Sequence, residues 1–252
     1  MLRIHDGRGG RDGVLKHIGI ISCKEVRSYL TSPMAYIVTA IFLLLSGAFF
    51  TMYLAAANYL DTSIRGFLHA AQFLILLFAA VLTMRLIAEE KKLGTWELLL
   101  TAPVRDSEII LGKFLGSLAV LTGMLALTLY YPLLLVVFGD PDLGPIGTSY
   151  LGLFLLGCAA LAVGIFASSL TSNQIVAAVV SGGMLFALWF LGQARQFAPV
   201  ALGDLLAYLS LAHHFPDFIR GIVDTRAIVY YLSMTALFLY LAIRSLETGR
   251  WS

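Results

Sequence analysis

Six stretches of this chain approach or exceed the roughly 20 predominantly apolar residues that a helix needs to cross a bilayer core of about 30 Å. They cover residues 34–57, 66–84, 114–138, 150–170, 175–191 and 228–243. Pro33 opens the first as a first-turn residue or a break before the helix. Pro132 lies inside the third and predicts a kink or the end of its regular part. Gly182 and Gly183 sit inside the fifth, and Arg244 extends the sixth by snorkelling its head to the interface. Composition agrees: 59% of the 252 residues are apolar and 13% are charged, about half the ionic share of a soluble domain. So few ionic side chains cannot build a water-facing surface, which excludes an ordinary cytosolic enzyme and a disordered chain. A net charge of +2 is too small for a nucleic-acid binder. Cys23 and Cys158 are too few and too far apart for a disulfide scaffold or a zinc site. The expected fold is an all-α polytopic membrane protein with six transmembrane helices.

Lys and Arg set the expected orientation by the positive-inside rule. The tail before the first span, the loop between spans two and three and the C-terminus carry thirteen of them, against four on the opposite side. Both termini are therefore expected in the cytoplasm. The first apolar run begins only at residue 34 and is longer than a ~7–15-residue signal-peptide core, so cleavage after Ala55–Ala57 is not expected.

Three segments do not read as spans. Residues 14–30 place Val14, Leu15, Ile18, Ile21, Val26, Tyr29 and Leu30 at mostly helical spacing, with Lys16, His17, Lys24, Glu25 and Arg27 filling much of the rest. Such a helix lies in the headgroup plane with its cations toward anionic lipid, or packs on a partner. Residues 1–13, rich in Gly and Arg, are expected to be flexible. The cytoplasmic loop 85–113 carries the charged cluster Glu89, Glu90, Lys91 and Lys92, then Gly94 for a sharp turn and Thr95 to cap a short helix over 96–101. Pro103 ends that helix, and Asp106 or Ser107 caps the next. Trp96, Leu98, Leu99 and Leu100 are apolar residues on a loop that should be polar, which suggests a protein partner, or a loop folded back on its own spans. The outer loop 192–227 reads as two short helices that dip into the outer leaflet and return, with Pro216 starting the second. Irregular backbone at that depth survives only inside protein or along a wet cavity, so this mouth is a candidate gate.

Motifs for chemistry are missing. The Gly112–Lys113 pair has Ser107 where a phosphate loop needs its first glycine and Phe114 where it needs a hydroxyl. There is no HExxH or CxxC, Gly164 to Ser168 lacks the GxSxG order, and no Ser/His pair sits at matched depth. His69 and Gln72, one turn apart in the second span, fit an interhelical hydrogen bond better than catalysis. His213 and His214 with Asp217 could bind a metal. Pairing of His214 or Arg220 with Asp217 or Asp224 is the duller account.

Two stretches together resemble permease subunits of type-2 ABC (ABC-2) exporters: EEKKLGTWELLLTAPVRDSEIILGK in the second cytoplasmic segment, and LSLAHHFPDFIRGIVDTRAIVYYL leading into the sixth span. The similarity runs from KEVRSYLTSP to the C-terminus and is nearest the branch that includes gliding-motility permeases and the permease of nitrous-oxide-reductase maturation. It implies an interfacial connecting helix within 1–33, a six-span domain over 34–244, re-entrant helices before span six, and a cytoplasmic end at 245–252, in a cytoplasmic (inner) membrane. It also implies that the chain is not itself an enzyme and holds no cofactor. ATP and Mg would be bound by a separate ATPase subunit, two copies of which dimerise under two permease chains.

The family's coupling helix maps to 94–103, with Trp96, Leu98 and Leu99 as apolar contacts to the ATPase. Glu97 and the flanking Glu89, Glu90, Lys91 and Lys92 would set register, with Gly94, Thr95 and Pro103 shaping the turn. At the outer mouth the resemblance points to His214, Phe215, Asp217, Arg220, Gly221 and Asp224. The expected function is coupling of ATP hydrolysis to export of an unidentified substrate. Force transmission to an extracytoplasmic partner without cargo, or a scaffold or channel, are the alternatives. The central surface is aliphatic and aromatic, which hints at apolar cargo or none.

Overall fold

A chain with this little charge satisfies its backbone inside helices, since lipid offers no partner for a free N–H or C=O. The structure, a computed structural model, describes residues 7–56, 65–94, 105–139, 141–197 and 199–249. Among them there is no strand. The helices are α1 (Gly7–Thr31), α2 (Pro33–Ala56), α3 (Arg65–Thr83), α4 (Ala88–Lys92), α5 (Asp106–Thr128), α6 (Tyr130–Phe138), α7 (Leu143–Ser169), α8 (Gln174–Phe190), α9 (Val200–Leu209), α10 (Phe215–Ile219) and α11 (Thr225–Gly249). A 3₁₀ turn, Gln193–Phe197, follows α8.

Five helical stretches are long and apolar enough to cross a membrane: Pro33–Ala56, Arg65–Lys92, Asp106–Phe138, Leu143–Ser169 and Thr225–Thr248. The remaining expected span is α8, a helix of 17 residues, about 25 Å at 1.5 Å per residue and a little short of the ~30 Å core. α1 reaches back to Gly7, so residues 7–13 are helical where flexibility was expected.

α7 occupies the middle. Ala159, Ala160, Leu161, Ala162 and Val163 are all fully buried, as expected of a helix that is apolar all round. Neighbours come close because α7 lacks side chains where they cross. A Cβ on Gly164 would collide with the Thr83 side chain of α3, and one on Gly157 with Leu121 of α5.

The expected break at Pro132 falls at Leu129, between α5 and α6. Proline has no N–H to donate to the carbonyl four residues earlier, that of Thr128. The Tyr150 hydroxyl of α7 donates to that carbonyl at 3.0 Å, so the kink leaves no orphan acceptor inside the bundle. Nearby, the Tyr131 hydroxyl donates to the Leu43 carbonyl of α2 at 3.0 Å, and its ring stacks on Phe50.

Candidate functional site

The two regions singled out in the sequence lie at opposite ends of α7. At its C-terminal end four elements converge on a small ionic cluster. Packing of α1 on α5 starts it. Gly112 and Gly116 leave a bare strip on α5: a Cβ on Gly112 would sit 2.6 Å from Ile21 Cγ2, and one on Gly116 would sit 2.6 Å from Glu25 Cβ. Small residues four apart allow this approach. It brings the Glu25 carboxylate to Lys113, whose ammonium lies 2.8 Å from Glu25 Oε1 and 2.9 Å from Glu90 Oε1. Lys113 is 1% exposed. The exposed Lys24 head lies 4.0 Å from the same Glu90 oxygen.

A charge this deeply buried persists only when paired, and here one ammonium bridges carboxylates from two other elements. Glu90 belongs to α4, which is fixed from its other side by α7. The Ser168 hydroxyl accepts from the Ile87 and Ala88 N–H groups at 3.2 and 3.1 Å. The Lys91 ammonium donates to the Ser169 carbonyl. Lys91 thus ties α4 to α7 and Glu90 ties it to α1 and α5, while Glu89 lies in the first turn of α4. Gly94 ends the turn with φ +70°, a left-handed conformation that glycine adopts without strain.

Three further contacts hold α1 in place. His17 Nδ1 lies 3.0 Å from Glu108 Oε2. The Arg85 guanidinium covers the Tyr29 ring at 4.3 Å, while the Tyr29 hydroxyl donates to the Leu82 carbonyl at 2.6 Å. Burial pushes the Tyr29 phenol pKa well above its usual value, keeping it a donor at all working pH. The cap expected at Asp106 or Ser107 is corrected by one or two residues. Arg105 is the N-cap, Asp106 and Glu108 fall in the first turn, and the Glu108 carboxylate accepts from the Arg105 N–H at 3.4 Å. Carboxylates there complement the helix dipole. Thr95, Trp96, Glu97, Leu98, Leu99 and Pro103 lie outside the described residues.

At the other end, α9 and α10 form the two short helices expected before the last span, and Pro216 is in the first turn of α10. Tyr230 and Tyr231 on α11 donate to the Leu209 and Leu211 carbonyls at 2.7 and 2.8 Å. His214 Nε2 donates to the Tyr208 carbonyl at 2.9 Å, and its ring lies 4.1 Å from that of Tyr230. Burial lowers the His214 pKa. Phe215 and Phe218 are fully buried, with Phe218 against Gly152 of α7. The Phe218 carbonyl accepts from Thr148 and Ser149 hydroxyls. Gly221, at φ +87°, closes α10: its N–H and that of Ile222 reach the Phe218 and Asp217 carbonyls at 3.1 and 2.9 Å, the pairing of a Schellman cap.

Of the two pairings expected here, Arg220 meets Asp217 at 3.7 Å on the surface. Asp224 instead accepts from the Arg226 N–H at 2.8 Å and starts α11. Among the described residues no group of three metal-ligating side chains is present. His69 and Gln72 meet each other within α3 at 3.4 Å, where a bond between helices was expected.

The family model described as ABC-2 family transporter protein matches residues 20–248, nearly the whole chain. The chain belongs to the ABC-2 transporter family. A comparison with curated proteins returned no match. As an ABC-2 membrane component, it works in a bilayer and with an ABC ATPase. Within this ABC-2 chain, Glu90 and Lys91, both expected in the site, join α4 to α1, α5 and α7 through Glu25, Lys113, Ser168 and Ser169, which the sequence reading did not select. The available signal was Glu25, the lone acid between residues 14 and 30, together with a lysine set between Gly112 and Gly116.

Proposed function

We propose that this chain is the permease subunit of an ABC-2 transporter, coupling ATP hydrolysis by a separate ATPase subunit to export of an unidentified substrate. Two permease chains would sit over two ATPase copies, with both termini in the cytoplasm. The loop 95–104 would receive the ATPase through Trp96, Glu97, Leu98 and Leu99. The outer helices α9 and α10 would form the gate.

The observation that carries the reading is the buried Lys113 bridge. It links the helix that leads into the loop, α4, to the helix that follows it, α5, and both to α1. A push on the loop would then move several helices as one unit instead of bending a slack connection. ATP can drive such a change only if the two states differ in contact free energy at that joint.

The test is co-purification of the full chain with an ATPase carrying a Walker A and a signature motif, with a photo-crosslinker at Trp96. Crosslinking to the ATPase, and loss of ATP-driven function in Glu97→Arg or Leu98→Asp with normal membrane insertion, is the expected result. Full activity and normal co-purification in both variants would reject the joint.

A further inference from the structure

We propose that the elbow between α1 and α2 is a binding site for an anionic phospholipid. One acyl chain would lie in the groove between α1, α2 and α5, and the headgroup phosphate would rest on Arg27. The groove has a volume of about 530 Å³ and is lined by Val26 and Leu30 of α1, Tyr36 of α2, and Val120, Gly123 and Leu127 of α5. That size is ordinary for a small-molecule site.

Apart from the Thr39 hydroxyl, the polar groups lining the groove are two phenols, and both are already committed. Both tyrosines that line it aim their hydroxyls at backbone carbonyls, Tyr29 at Leu82 and Tyr36 at Leu30, at 2.6 and 2.7 Å. Gly123 has open space where its Cβ would be. The rest of the lining is apolar, which suits a hydrocarbon chain.

Charge on the exposed surface of α1 selects which hydrocarbon. Lys16, Lys24 and Arg27 are exposed on α1, whereas Glu25, the single acid of residues 13–31, is turned inward onto Lys113. Arg27 shares a face with Leu30, one turn along, and among the described residues neither it nor Lys16 has an ion-pair partner. Exposed Leu15, Ile20 and Leu30 lie among these cations, the mixture that settles a helix at a headgroup surface.

Native mass spectrometry of the full chain with equal dioleoylphosphatidylglycerol and dioleoylphosphatidylcholine tests this independently of any transport activity. Wild type is expected to retain the glycerol lipid several-fold over the choline lipid. Arg27→Ala should cut that preference about fivefold, the worth of one cation at an anionic surface, with choline-lipid retention unchanged. Gly123→Phe, which fills the groove, should lose both lipids while its melting temperature stays at the wild-type value. Equal retention of the two lipids by wild type would overturn the proposal. So would unchanged preference in Arg27→Ala, which decides the matter even if Gly123→Phe fails to fold. Conversion of a dimer to a monomer by Gly123→Phe without lipid loss would also overturn it, and would assign the groove to a second copy.

Discussion

Glu25 and Lys113 stand 88 positions apart in sequence and 2.8 Å apart in space, where they fasten the first helix of the chain to the helix that follows the cytoplasmic loop. Removing only the cation should be costly. Lys113→Met leaves two carboxylates without their shared counter-ion, and stability should fall by about 3–5 kcal/mol. Replacing the whole cluster, Glu25→Leu with Glu90→Leu and Lys113→Met, should recover most of that loss, because an apolar cluster of similar volume needs no desolvated charge. Thermal unfolding in detergent reads both values. A triple variant no more stable than the single one would show that the ions themselves hold the joint.

Close approach of α1 to α5 makes a second prediction. Gly116→Ala puts a Cβ 2.6 Å from that of Glu25, and overpacking of this kind typically costs about 1–3 kcal/mol. Gly123→Ala, seven residues along the same helix, meets nothing within 4 Å and should be neutral or stabilising by up to about 1 kcal/mol through helix propensity. Equal melting shifts in the two variants would contradict the packing described.

The kink can be tested as a cycle. Tyr150→Phe strands the Thr128 carbonyl that Pro132 leaves free, at a cost of about 1–3 kcal/mol. Pro132→Ala restores the missing N–H, so the tyrosine hydroxyl should matter much less in that background. The four melting temperatures of the double-mutant cycle should be clearly non-additive; additivity would mean that the hydroxyl is not compensating for the proline.

Acid should loosen the outer loop. Burial lowers the His214 pKa, so the folded protein prefers the neutral ring. The associated stability is present above the ordinary histidine pKa of about 6.5 and is lost as pH falls through and below it. Melting temperature should drop between pH 7.5 and pH 5, and part of that drop should disappear in His214→Gln, whose amide can still donate to the Tyr208 carbonyl. An identical drop in the variant would remove His214 as its cause.

The apolar runs marked the long helices because hydrocarbon length is a one-dimensional property of the sequence. Their ends were less legible. α7 begins at Leu143, capped by Asp142, and α11 runs on to Gly249, since polar residues at the membrane edge continue a helix as readily as end it. The second of the short outer helices could be placed because Pro216 marks its start, whereas the stop at Gly221 came only from the backbone. The ionic joint was hidden for a different reason. Lys113 counts as a loop cation in any charge tally, and only the two bare glycines beside it say that another helix comes close enough to bury it. Ser168, dismissed as part of no catalytic motif, holds the start of α4 through its hydroxyl.

In the proposed mechanism the joint of Glu25, Glu90 and Lys113 transmits motion. The direct measurement is the distance between spin labels at Ser28 on α1 and Ser172 after α7, both exposed, in a Cys23→Ser background bound to the ATPase. Trapping with ATP and vanadate should shift the distance in the native cluster, and should leave it unmoved in the stable apolar triple replacement that still binds the ATPase. The same shift in both proteins would contradict the claim.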